Sequence, residues 1–252
     1  MQSVLAIANQ KGGVGKTTSA AALGTVLSRR GRRVHLIDAD PQADLTSAFG
    51  QKDPQGRLFT ALAEQNPLPL IELTEQLSLT PSSIDLTRGE ANFMAEHGRE
   101  FLLQNSLQKT DLPDDTLVII DCPPSLGLLT VNCLAAADKL LVTVHPGGFE
   151  LRALVHLQQT VEQLHKRINP KLDLTGVLLT IVDRRKSISA VIERELKQRY
   201  KVFGVIGGDT RLEYAVGQGN ILDLFTSRAL DEYDRAADEI EQLLWAKATS
   251  AA

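Results

Sequence analysis

One short stretch constrains this chain more than anything else in it. Gln10-Lys11-Gly12-Gly13-Val14-Gly15-Lys16-Thr17-Thr18 lies between an apolar run, Val4 to Ala8, and an amphipathic stretch, Thr18 to Arg29. A Gly-rich loop ending in Gly-Lys-Thr between a strand and a helix is the arrangement of a phosphate-binding loop. Glycines let backbone N–H groups turn inward around phosphate oxygens, and the helix amino terminus adds its dipole. Gly12, Gly13, Val14, Gly15 and Thr18 then form the cradle, Lys16 neutralises β- and γ-phosphate charge, and Thr17 offers a hydroxyl to Mg²⁺. The bland alternative, a β-α turn with no ligand, fits poorly with a motif in its full strand-loop-helix context. Gln10 replaces the usual first glycine, and an extra lysine, Lys11, follows it. A second lysine in so short a loop is costly unless phosphate compensates it, so Lys11 is either a solvated charge or the ligand of a second phosphate group.

Around this loop, short apolar runs alternate with stretches of helical period. Strand-like runs fall at Val34–Ile37, Leu117–Ile120, Leu140–Val144, Leu174–Val182 and Val202–Ile206. Helical periods fall at Leu126–Ala136, Phe149–Ile168, Ser187–Arg199, Arg211–Gln218 and Ser227–Ala248. That order predicts an α/β fold, a mostly parallel twisted sheet with helices on both faces. Residues 51–115, punctuated by Pro54, Pro67, Pro69, Pro81 and Pro113, read as an irregular elaboration within one domain spanning 1–252, since no Gly/Ser-rich linker flanks them. With 252 residues, 43% of them apolar, the chain can bury a sizeable core without staples. Its two cysteines, Cys122 and Cys133, make neither a disulfide framework nor a Cys-rich zinc site, which points to a reducing, cytoplasmic setting. No apolar stretch approaches the roughly 18 residues of a membrane span, and the amino terminus enters a strand pattern with no basic leader. The histidines, His35, His97, His145, His156 and His165, show no metal-ligand spacing.

Two acidic positions lie where apolar runs end, the place at which open α/β sheets bind ligands. Asp121 closes Leu117–Ile120 and would hold the water shell of Mg²⁺. Asp38 and Asp40, in Asp38-Ala39-Asp40-Pro41-Gln42, would read without the phosphate loop as a helix cap and a turn. Taken together, these blocks resemble the ParA/MinD family of deviant Walker A ATPases, most closely the ParA/Soj-type partition ATPases. Lys11–Thr18 is similar to the family's deviant Walker A box and Asp38–Gln42 to its second acidic motif. Leu117-Val118-Ile119-Ile120-Asp121-Cys122-Pro123-Pro124-Ser125-Leu126-Gly127 is similar to its Walker B segment, followed by the similar Leu129-Thr130-Val131-Asn132 and Ala135-Ala136-Ala137-Asp138.

The resemblance implies roles. Asp38 lies near the metal and Asp40 orients the attacking water. Lys11 reaches across a face-to-face homodimer, formed on ATP binding, to the partner's phosphates. ATP is expected over GTP, because Thr180-Ile181-Val182-Asp183 lacks the lysine of a guanine-reading element. The family's adenine-lining Ile-Pro-Arg-Asn is Ile206-Gly207-Gly208-Asp209 here, so Asp209 is expected on the base side of the nucleotide. Between Asp183 and Lys201, seven basic residues stand against three acidic ones in a chain of net charge −4. Read alone, that is a solvated helix face with Glu and Arg pairing along it. The resemblance implies a patch for nonspecific double-stranded DNA, with Arg185 and Arg211 at the matching positions and Arg184, Lys186 and Lys197 in support. A ParB-like adaptor would stimulate a weak hydrolysis, and the ATP form would associate with the nucleoid. A MinD-like membrane relative needs a basic amphipathic tail, which Ile240–Ser250 does not supply. A dethiobiotin synthetase relative would need a substrate-acid site that is not visible, and an iron–sulfur relative would need paired cluster cysteines. No amino-terminal helix-turn-helix precedes the strand at Val4, so operator reading is not expected.

Overall fold

The computed structural model describes residues 2–52, 57–147 and 150–245. Along them run β1 (Ser3–Ala8), α1 (Lys16–Arg29), β2 (Val34–Asp38), α2 (Asp44–Ala48), α3 (Arg57–Glu64), β3 (Ile71–Thr74), β4 (Leu77–Thr80), α4 (Asp85–Phe93) and α5 (Leu102–Lys109). Then follow β5 (Leu117–Asp121), α6 (Leu128–Ala136), β6 (Lys139–Val144), α7 (Glu150–Arg167), β7 (Asp173–Val182), α8 (Ser187–Arg199), β8 (Val202–Gly207), α9 (Thr210–Gln218) and α10 (Arg228–Trp245). The strands form one eight-stranded sheet in the order β3-β4-β2-β5-β1-β6-β7-β8. All its pairings are parallel except β3 with β4.

Because successive strand residues point to opposite faces, a wholly apolar strand feeds two cores at once. In β1, Val4, Ala6 and Ala8 enter one apolar cluster while Leu5 and Ile7 enter the other. In β5 the same division separates Val118 and Ile120 from Leu117 and Ile119. The first cluster is closed by α6, α7 and α8, and the second by α1 and α10. Each fully buried Leu or Ile in these layers contributes about 1.5–3 kcal/mol, so the two faces hold the sheet rigid beneath the loops at its ends. Across α1 and α10 the contact is also ionic at its edge, where Arg30 meets Asp234, Asp238 and Glu241 at 2.8–2.9 Å.

The expected element order is found, with shifts of a few residues at several ends and a few differences that matter for the site. Residues 51–115 are less irregular than their prolines suggest: β4 lies parallel to β2 inside the main sheet, and β3 turns back antiparallel as its edge. Strands of four residues are too short to show a period. The helix expected from Leu126 begins at Leu128, because Gly127 is extended at φ −71°, ψ −176°. Both β2 and β5 run one residue further than their apolar runs, taking in Asp38 and Asp121. Pro54, the Gly148-Phe149 pair and the tail from Ala246 lie outside the described residues.

Candidate active site

The phosphate loop leaves the carboxyl end of β1, at the centre of the sheet. Its bend is made by Gly13 and Gly15 at φ 69° and 74°, where a side chain would be strained. A Cβ placed on Gly12 or Gly13 would meet nothing within 4 Å, so the loop faces open space. Two contacts hold its shape. Asn9 accepts the Lys11 backbone N–H at 3.0 Å and donates to the Thr143 carbonyl on β6. Thr180 near the end of β7 donates to the Val14 carbonyl at 2.8 Å and lies against Gly15. Neither residue announces this in the sequence, because each is joined to a partner more than a hundred residues away. Lys16 is buried, with its ammonium 3.4 Å from the Lys11 carbonyl, while Lys11 itself is exposed on the loop.

Beside the loop, register brings the acids together. Asp38 of β2 is directly paired with Asp121 of β5, which in turn is paired with Ile7 of β1. Thr17 donates its hydroxyl to Asp121 Oδ2 at 2.7 Å, while the buried Asp121 Oδ1 has no partner among the described residues. Burial, then the Asp38 charge, raise the Asp121 carboxyl well above the usual range, against the Thr17 hydrogen bond and the Lys16 charge. Burial likewise pushes Asp38 up to about 7, although Thr46 donates both its N–H (2.8 Å) and its hydroxyl (2.6 Å) to it. Asp40 turns the chain after β2, accepting from Gln42 N–H at 2.9 Å while Ser82 donates to its carbonyl. Crowded acids short of cations, one orphaned carboxylate oxygen and a hydroxyl next to it are the donor set of a hard divalent cation. Among the described residues no three His, Cys, Asp or Glu side chains are grouped as a metal cage.

The remaining expected residues separate. Asp209 does lie by the loop, in a small pocket with Gly15, Thr18, Ile181, Gly207 and Gly208. Its carboxylate, however, caps α9 through the Arg211 and Leu212 N–H groups and also takes the Ala229 N–H at 3.0 Å. Burial alone would raise it, yet these backbone bonds bring it below the usual carboxylate range. Gly207 and Gly208 line that pocket beside it.

On the same side of the sheet, Arg184, Arg185 and Lys186 follow β7 and line a cleft of about 450 Å³ with Arg228, His145 and Gly207. Arg185 is 90% exposed and holds Asp183 in a two-point ion pair at 2.9 and 3.0 Å. Arg184, half exposed, instead pairs with buried Glu232 at 2.8 Å. Lys197 pairs with Glu193 one turn earlier on α8, away from the cleft, and Arg211 is exposed at the start of α9. His145 serves the scaffold through Thr180, and Cys122 and Cys133 are buried free thiols. Among the described residues no helix is long and apolar enough to cross a membrane.

A family model described as an AAA domain matches residues 2–174. Over 210 residues the chain is 39% identical to the chromosome partitioning protein ParA of Myxococcus xanthus, covering 81% of this chain and 74% of that one. Over 250 residues it is 36% identical to the sporulation initiation inhibitor protein Soj of Bacillus subtilis, covering 95% and 98%. Among solved structures, cobyrinic acid a,c-diamide synthase of Mycobacterium smegmatis with bound ADP and magnesium matches with a TM-score of 0.80 at 33% identity, covering 98% and 97%. Relatives that match over most of the chain, on a sheet whose central loop and flanking acids fit a nucleotide and its metal, leave one assignment: the chain belongs to the ParA/Soj family of P-loop ATPases.

Proposed function

We propose that the ATP form of this ParA-type ATPase is a face-to-face homodimer that grips double-stranded DNA without reading its sequence, and that a cargo-bound, ParB-like adaptor triggers hydrolysis and release. The observation that carries this reading is the arrangement at the end of β1. A buried Lys16 and the Thr17–Asp121 pair lie behind an open loop that presents a second lysine, Lys11, outward.

ATP and Mg²⁺ are the cofactors. When bound, Mg²⁺ supplies positive charge to the phosphate oxygens, and Thr17, Asp121 and Asp38 are the residues that would hold it and its waters. The chain's own residues do the rest by position and charge. Backbone N–H groups of residues 12–18 orient the phosphates, and Lys16 offsets the charge that builds on them. Asp40 sits on a turn fixed by Ser82 and Gln42, suited to orient a water toward the γ-phosphate. Lys11, followed by two glycines on an open loop, can reach a second copy, which would complete the charge at the γ-phosphate only in a dimer.

For DNA, Arg185, Lys186 and Arg211 are exposed cations at the ligand-binding end of the sheet that no buried carboxylate holds. A few phosphate contacts per chain bind weakly at physiological salt; pairing two chains doubles them and gives a nucleotide-controlled grip. In the cell this corresponds to nucleoid association of the ATP form. The test is binding of the Asp40→Ala protein to random-sequence duplex DNA across a salt titration, with ATP and with ADP. Salt-sensitive binding with ATP only, lost on Arg185→Ala or Arg211→Ala, is expected. Equal binding with ADP, or none at all, refutes the reading and favours a membrane-positioned or metabolic member of the family.

A further inference from the structure

Glu232 is a buried carboxylate on α10, 6% exposed, that none of the chemistry above uses. It stands between two functional segments. Its Oε2 accepts the backbone N–H of Gly207, at the head of the Gly207-Gly208 turn that lines the pocket beside the phosphate loop. Its Oε1 takes the Arg184 guanidinium at 2.8 Å and the Arg228 guanidinium at 3.3 Å. Arg184 is further tied to the Val205 carbonyl of β8 at 3.1 Å. The next residue, Tyr233, bonds Ser19 of α1 at 2.9 Å, so this turn of α10 is itself anchored to the phosphate-loop helix.

We propose that Glu232 is a positioning residue that fixes the Gly207 turn and withholds Arg184 from a bound phosphodiester, setting the DNA grip below the charge the basic loop contains. The inference rests on the DNA reading for its second half only. Both Arg184 bonds are made by Nη2, so a guanidinium whose charge is already shared with a buried carboxylate has less to offer a phosphate, and pulling that nitrogen away would leave the carboxylate with only Arg228 and the Gly207 N–H in the protein interior. Arg185 has no such constraint, since its partner Asp183 is itself at the surface and a phosphate can replace it. Arg184 is therefore a cation of the scaffold, although it sits between residues that face solvent.

The test uses Glu232→Gln, which keeps an acceptor for the Gly207 N–H but removes the charge. In the ATP form, the plot of log binding constant against log salt for random duplex DNA is expected to steepen by about 0.9 for each further phosphate neutralised per chain, and affinity at about 0.15 M salt to rise roughly fivefold for each. Arg184→Ala alone is expected to leave the slope unchanged, and Arg184→Ala on top of Glu232→Gln to cancel the increase. A slope already reduced by Arg184→Ala alone, or unaltered by Glu232→Gln, overturns the withholding. The positioning half has its own readout without DNA: amide exchange at Gly207, expected to quicken at least tenfold in Glu232→Ala and to stay near the natural rate in Glu232→Gln. Unchanged exchange in both variants overturns it. If neither the natural protein nor Glu232→Gln binds DNA with any nucleotide, the DNA reading has failed and the withholding with it, while the exchange result still decides the positioning.

Discussion

His35 allows a sharp prediction about stability and pH. It is the second residue of β2, with its ring fully buried, Nδ1 2.9 Å from Ser78 Oγ and Nε2 2.9 Å from Thr80 Oγ1. The Thr80 hydroxyl donates to the Pro69 carbonyl, so toward the ring it accepts; the proton therefore sits on Nε2, and Ser78 donates to Nδ1. Burial drives the ring's pKa down to about 3 from its ordinary 6.5. The folded protein thus refuses a proton that the unfolded chain accepts below about pH 6.5, and stability falls as pH falls through that window until the folded ring titrates. At about 1.4 kcal/mol per pH unit once the unfolded ring is mostly charged, the loss between pH 7.5 and pH 5 is roughly 2 kcal/mol. His35→Gln offers both hydroxyls an amide partner and does not titrate. Urea unfolding of both proteins at several pH values isolates the effect, because every other titrating group, Asp38 and Asp121 included, is common to both and cancels in the difference. The variant is expected to be the less stable at pH 7.5 and to close on the natural protein by about 2 kcal/mol at pH 5. A difference that stays constant with pH would refute the burial argument.

Lys16→Ala should abolish nucleotide binding, measured by equilibrium titration with a fluorescent ATP analogue; ordinary affinity would remove the loop's buried lysine from the site. Asp40→Ala should retain ATP affinity within a fewfold and lose most of its phosphate release, and unchanged turnover would exclude Asp40 as the group that orients water. Gly219→Ala should cost about 2–4 kcal/mol in chemical denaturation, because φ there is 75° and the added Cβ would lie 2.6 Å from the Ser47 carbonyl oxygen. A loss under about 0.5 kcal/mol would mean that the close approach of α9 to α2 relaxes freely.

How far the sequence could be read follows from the range of the interactions involved. The phosphate loop is legible because all its parts are local: strand, glycines, Lys16, Thr17 and helix follow one another, and the chemistry requires that spacing. Asp121 and Asp38 are legible as the ends of apolar runs. Their being register neighbours is not, since it depends on β5 inserting between β1 and β2. Thr46, which supplies two of the three hydrogen bonds to Asp38, carries no signal at all. The same holds for Asn9 and Thr180, polar residues at strand ends whose partners are carbonyls of other segments.

The basic segment shows the limit most clearly, because there charge counting and geometry part company. Seven cations between Asp183 and Lys201 look alike on paper, yet the fold sorts them by what lies beneath each. Arg184 lands over the seam between β8 and α10, where a carboxylate from a residue forty-eight positions later is waiting. Arg185, one residue on, points into solvent, and Lys197 is taken by Glu193 on its own helix. The two arginines lie in the turn after β7, closed by the Lys186 N–H on the Asp183 carbonyl, where Arg185 bends back to Asp183 and Arg184 reaches across to α10. Net charge therefore bounds what such a loop can bind, but the salt dependence of its binding should follow only those cations that the fold does not tie to a buried carboxylate.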